Sequence, residues 1–128
     1  MWLVDKELLE RLARDKTFTG RPEQYDGSGE CSDPDCEDKL CYFIGSRCQM
    51  VSEISYTITH DSCLPSKSCA AAGAALAKEK PLLAAYLVNH QQIIAEVGGL
   101  DEEYVHCAMM AELALKRALL DCIKKKAE

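Results

Sequence analysis

The chain has no Cys-x-x-Cys pair, no apolar run as long as a membrane span, and no basic block ahead of its last turn. Each absence closes a class of function. Without Cys-x-x-Cys, zinc-finger and thioredoxin-type motifs are excluded, so any metal site must be assembled from distant parts of the chain. Without a run of about 20 apolar residues, no membrane helix is expected. Met1-Trp2-Leu3-Val4-Asp5-Lys6-Glu7 breaks into charge too early for a signal peptide. Net charge is −6, so the concentrated positive charge that phosphate binding needs is missing and nucleic acid is not an expected partner. A cytoplasmic protein without a membrane partner is the expectation. No internal repeat or low-complexity tract is present.

What is present is enough for one domain. The 128 residues are 48% hydrophobic, which suffices for a real core. Eight cysteines, at positions 31, 36, 41, 48, 63, 69, 107 and 122, would suggest disulfides in a secreted chain. In a reducing compartment they point to metal or thiol chemistry instead.

The pattern along the chain predicts an α+β fold: a small antiparallel sheet of two to three strands, helices on one face, and a long C-terminal helix. A single domain, 1–128, divides into a helix with a mobile loop (1–30), a β-hairpin region (31–60) and a helical part (61–128). Trp2 to Lys16 reads as a helix, and Thr17 to Glu30 as polar loop whose Asp26-Gly27-Ser28-Gly29 is the mobile part. Cys31 to Asp38 reads as a turn rich in potential ligands. Leu40 to Ile44 is a short apolar strand, Gly45-Ser46-Arg47 a turn, and Gln49 to Thr59 an alternating strand with Ile54, Tyr56 and Ile58 on one face. Cys41 and Cys48 belong to this hairpin as half-buried small residues.

Pro65 is tolerated in the first turn of an alanine-rich helix, Ser66 to Lys80, that should pack closely against its neighbours. Short helices follow from Pro81 to Val88 and from Gln91 to Val97. In the final helix, Tyr104 to Lys126, the residues Cys107, Ala111, Leu115, Ala118 and Cys122 share one stripe, flanked by Ala108 and Leu119. Asp101 reads as its N-cap, Glu112 and Lys116 as an i,i+4 pair, and the final lysines suit the negative end of the dipole.

Three thiols stand at element ends: Cys36 at a turn before a strand, Cys63 at a strand-to-helix junction, and Cys107 at a helix start. A thiol at a helix N-terminus has its thiolate form favoured. Asp38 and His106 lie beside two of them. Consecutive helical residues diverge by about 100°, so His106 and Cys107 can serve one site only where the helix is just starting. Three thiolates with a carboxylate or imidazole make a tetrahedral set for zinc, or for an iron–sulfur cluster with one non-cysteine ligand. Cys31 and Cys69 are close enough in sequence to be spare thiols.

The order of these motifs resembles the IscU/NifU-type iron–sulfur cluster scaffold proteins. Cys36-x-Asp38, Cys63 ahead of an alanine- and serine-rich helix, and His106-Cys107-x-Met109-x-Ala111-Glu112 carry the resemblance, with 24 and 42 residues separating Asp38 from Cys63 and Cys63 from His106. It implies that Cys36, Cys63 and Cys107 hold a transient [2Fe–2S] cluster, that one of them accepts persulfide sulfur from a cysteine desulfurase, and that recipient apo-proteins take the cargo. Asp38 and His106 are implied as exchangeable ligands, Asp38 keeping the cluster labile, with zinc able to take the cluster's place in the isolated protein. The family's Cys-Gly-Asp is Cys36-Glu37-Asp38 here, and its Gly-Cys-Gly is Ser62-Cys63-Leu64. Its Leu-Pro-Pro-Val-Lys stretch is replaced by Leu100-Asp101-Glu102-Glu103-Tyr104, which argues against dependence on an Hsp70-type chaperone.

The expected role is a scaffold and carrier, not an enzyme. Two other roles use the same residues: a zinc-dependent sulfur-transfer partner of a desulfurase, and a metal that only stabilises the fold or regulates the desulfurase.

Overall fold

Strand β2 (Lys39–Arg47) decides where the core lies, because its alternate residues Leu40, Tyr42 and Ile44 are completely buried. In the computed structural model, residues 4–32 and 38–127 are described. Strands β1 (Gly27–Ser32), β2 and β3 (Met50–Ile58) form one antiparallel sheet in that order. Pairing sets Tyr42 opposite Tyr56 and Ile44 opposite Ile54, so both strands turn one apolar face toward the helices. On the opposite face Phe43 is covered by Tyr25, with ring centroids 5.0 Å apart, and by the Arg21 guanidinium.

The helices are α1 (Lys6–Arg14), α2 (Leu64–Ala77), α3 (Leu82–Tyr86), α4 (His90–Glu96) and α5 (Val105–Ala127), the last preceded by a 3₁₀ turn at Glu102–Tyr104. Asp5 caps α1 by accepting from the Leu8 amide, and Asn89 and Gln92 form a reciprocal capping box on α4. The start expected for the first helix at Trp2 lies outside the described residues. Helix α2 is buried almost all round: Ser66, Ser68, the run Cys69 to Ala74 and Ala77 are enclosed. Its small side chains permit that close approach. Every stripe residue expected on α5 is buried, Cys122 included.

Residues 27–30, which the sequence presents as mobile loop, are strand. Gly27-Ser28-Gly29 carries no apolar alternation, so its signal is that of a turn. These glycines are here because α5 crosses directly over β1. A Cβ at Gly27 would lie 2.5 Å from the Cys122 backbone nitrogen, and one at Gly29 would lie 2.2 Å from that of Ala118. Helix α5 also satisfies the open edge of β1. Asp121 Oδ2 accepts from the Ser28 amide at 3.0 Å, and Arg117 Nη1 donates to the Glu30 carbonyl at 2.7 Å. An edge strand so capped is a poor template for pairing with another chain. The Ser28 amide holds the Asp121 carboxyl below the usual carboxylate range, with smaller help from Lys125.

The hairpin turn is also displaced from its expected position. Gly45-Ser46-Arg47 lies within β2, where the register shifts at Gly45/Ser46, and the turn itself is Cys48-Gln49. Both residues have positive φ, 54° and 67°, as a type I′ turn requires. Cys48 is exposed, not half-buried. Cys and Gln give no turn signal, and the left-handed conformation costs each of them energy. Replacing Cys48-Gln49 by Asn-Gly is expected to raise stability by about 1 kcal/mol. The melting temperature should rise roughly 4 °C, while an unchanged or lower value contradicts the turn assignment.

The i,i+4 pair expected on α5 divides its ends between two other helices. Glu112 Oε1 accepts from the His90 amide at 2.6 Å and lies 3.1 Å from His90 Nδ1. Lys116 donates to the carbonyls of Tyr86 and Val88 and lies over the Tyr86 ring. Backbone groups at the ends of α3 and α4 have no helical partner of their own, and these two charges satisfy them. The result ties α3 and α4 to the long helix.

Candidate metal centre

Strand β1 runs along α5 toward the head of that helix, since Gly27 packs at Cys122 and Gly29 at Ala118. The chain therefore leaves β1 at the pole where α5 begins and re-enters the sheet at Lys39. Asp38 stands immediately before β2 and is 6% exposed. Cys63 is the N-cap of α2, in extended backbone, with Pro65 accepted in the first turn. Cys107 is in the first turn of α5 and 1% exposed, whereas its neighbour His106 faces solvent. Three of the expected thiol positions were element ends. The two that are described, with Asp38, meet at one pole.

The distances are those of a shared site. Cys63 Sγ and Cys107 Sγ are 3.9 Å apart, and His106 Nε2 lies 3.6 Å from Cys107 Sγ. Two thiolates on a tetrahedral ion with bonds of about 2.3 Å stand about 3.8 Å apart. The two sulfurs thus already have the spacing of ligands to one centre. His106 and Cys107 reach the same place because they belong to the opening turn of their helix.

One residue escapes the motif reading. Ser66 Oγ lies 3.2 Å from Cys63 Sγ, 3.3 Å from Cys107 Sγ and 3.4 Å from Asp38 Oδ2. Position i+3 from a cysteine at a helix start returns to the same side of the helix, and that spacing was the available signal. Among the described residues, no group of three His, Cys, Asp or Glu side chains is disposed to hold a metal ion as it stands. Asp38, Cys63 and Cys107 converge on Ser66 instead. Cys36 lies outside the described residues.

Four other cysteines lie on the helices and the sheet. Cys69 is fully buried, and burial first, then the nearby Cys107 and Cys63, push its thiol well above the usual range. It packs within the hydrophobic core. Cys41 is half-buried on β2, its thiol raised by burial and then by Glu30. Cys122 is buried under the sheet, its Sγ 3.5 Å from Ser46 Oγ. Cys31 sits on β1, paired with Leu40 and partly packed against the core.

The family model described as "NifU-like N terminal domain" matches residues 6–128. Two curated proteins of Archaeoglobus fulgidus, the iron–sulfur cluster assembly scaffold proteins IscU 1 and IscU 2, are each 26% identical over 106 residues, covering 83% of this chain and 68% of theirs. The fold is similar to that of a solved protein from Fervidobacterium islandicum AW-1, assigned as an iron–sulfur cluster assembly scaffold for the SUF system, at a TM-score of 0.71 and 15% identity over 88% of this chain and 94% of that one. It is also similar to the N-terminal part of a NifU-like protein from Brucella abortus, at a TM-score of 0.62 and 15% identity over 93% and 91% of the two chains. Among the described residues, no helix is long and apolar enough to cross a membrane. A match over almost the whole length, on a fold shared with these proteins, shows that the chain belongs to the NifU-like N-terminal domain family.

Proposed function

We propose that this domain is a scaffold for iron–sulfur cluster assembly. It holds a [2Fe–2S] cluster built from iron and desulfurase-derived sulfur, and passes it to recipient apo-proteins. Cys36, Cys63 and Cys107 are the thiolate ligands, and Asp38 and His106 exchange at the remaining position. The observation that carries the reading is the meeting of Asp38, Cys63 and Cys107 at one pole, with sulfurs 3.9 Å apart. Cys36 is two residues from Asp38 in sequence, and covalent geometry limits their Cα separation to about 7 Å.

Thiolates suit iron and its bridging sulfides, while a carboxylate or imidazole binds less tightly and is the natural point of exchange. Exposed His106 sits where a partner would reach the cargo. The chain's net charge of −6 complements a basic patch on a sulfur donor. In this role the domain is a carrier without turnover chemistry of its own. Leu100-Asp101-Glu102-Glu103-Tyr104 argues against dependence on an Hsp70-type chaperone.

A tetrahedral sulfur-rich set fits zinc as well as iron, which supports a second reading as a zinc-dependent persulfide acceptor. Anaerobic reconstitution with ferrous iron and sulfide distinguishes the two. The scaffold reading predicts visible absorption, iron and sulfide in equal amounts, and transfer to an apo-ferredoxin. Tight zinc, no cluster and persulfide trapped on one cysteine would replace it with the second reading. Zinc with neither activity would leave a metal that only stabilises the fold.

A further inference from the structure

Ser66 is 2% exposed and occupies the first turn of α2, where alanine would serve the helix equally well. Burying a hydroxyl has a cost unless it is hydrogen-bonded. Here the hydroxyl has three partners and only one proton to give. It can donate to Asp38 Oδ2 at 3.4 Å or to Cys107 Sγ at 3.3 Å, but not fully to both. Cys63, at 3.2 Å, can donate its thiol proton to one of the oxygen lone pairs.

We propose that Ser66 is the positioning residue of this centre, its hydroxyl holding Asp38, Cys63 and Cys107 in register for cargo. The inference rests on the scaffold function proposed above. The hydroxyl stands between Asp38 Oδ2, Cys63 Sγ and Cys107 Sγ, within 3.2–3.4 Å of each, and so sets how these three side chains lie relative to one another. A hydrogen bond to a ligating sulfur is one of the levers a protein has on such a centre. Ser66 touches the ligands and not the metal, so its action is exerted through Asp38 and Cys107.

Two variants and two readouts test this. Cobalt(II) is titrated into chelator-treated wild type, Ser66→Ala and Ser66→Thr, following the sulfur-to-cobalt charge-transfer band. Separately, iodoacetamide alkylation of Cys63 is timed by peptide mass spectrometry in the same metal-free proteins. Ser66→Ala should bind cobalt about 10-fold more weakly, the scale of a lost outer contact, with the band unchanged in intensity because the thiolates are the same. Its Cys63 should be alkylated several-fold faster. Ser66→Thr, which keeps the hydroxyl, should stay within about 3-fold of wild type in both. Ser66→Ala indistinguishable from wild type in both readouts overturns the proposal. So do Ala and Thr variants equally weakened while melting at the wild-type temperature, since space and not the hydroxyl would then matter. If wild type shows no thiolate-to-cobalt band, the scaffold reading fails by itself. Alkylation then decides Ser66 alone: faster reaction in the Ala variant supports its hold on the thiols, and equal rates refute it.

Discussion

Cys107→Ser protein, reconstituted anaerobically with iron and sulfide, is expected to fold normally and to lose its visible absorption. Loss of an outer contact to a metal ligand typically costs 10- to 100-fold in affinity, so loss of a thiolate should cost at least about 100-fold. Stability should change little, by about 1 kcal/mol, because serine is smaller and its hydroxyl has Ser66 Oγ within reach. Cys63→Ser should behave alike. The informative controls are Cys69→Ser and Cys122→Ser, which alter cysteines just as buried as Cys107. Cys69 is the sharper of the two, because it neighbours both site thiols yet burial pushes its own thiol well above the usual range. Both controls should keep the absorption. Equal loss in all four variants would mean that packing, not ligation, explains the cysteines.

Gly29→Ala is expected to be the most damaging single change outside the centre. The added Cβ would stand 2.2 Å from the Ala118 nitrogen and 2.5 Å from the Arg117 carbonyl carbon, both main-chain atoms. Helix α5 has no room to yield, since Ala118, Leu119 and Cys122 are completely buried on its inner face. Forcing the strand and helix apart should cost about 3 kcal/mol. That is a fall of roughly 10 °C in melting temperature. Cobalt affinity should fall with it, because the same contact seats α5, which carries Cys107, against the sheet. Gly45→Ala is the control: its Cβ meets the Glu53 side chain at 3.4 Å, an ordinary contact, and should cost less than about 1 kcal/mol. Equal melting temperatures for the two variants would contradict the packing described here.

Where apolar periodicity was strong, the sequence was sufficient. The α5 stripe, the alternating strand through Ile54 and Tyr56, and the alanine-rich helix each carry their period in plain view. The thiols at Cys63 and Cys107 were legible because helix starts leave their own marks, proline in one case and an acidic 3₁₀ turn in the other. Strand β1 was not legible. Its glycines answer to a helix about 90 residues away in sequence, and local pattern carries no trace of so distant a constraint. The turn at Cys48-Gln49 was hidden because two strong strands impose positive φ on residues that do not favour it. Glu112 and Lys116 obeyed the helical spacing rule in sequence, but unpaired backbone groups on α3 and α4 compete for them. Ser66 was missed because its i+3 spacing from Cys63 gains meaning only when the fold brings Asp38 and Cys107 around it.

The central claim is that Cys36, Cys63 and Cys107 ligate one centre together with Asp38 or His106. X-ray absorption at the zinc edge of zinc-loaded protein reads that ligand set directly. Three sulfurs at about 2.3 Å and one oxygen or nitrogen at about 2.0–2.1 Å is the predicted first shell. A shell of oxygen and nitrogen with one sulfur or none would contradict it.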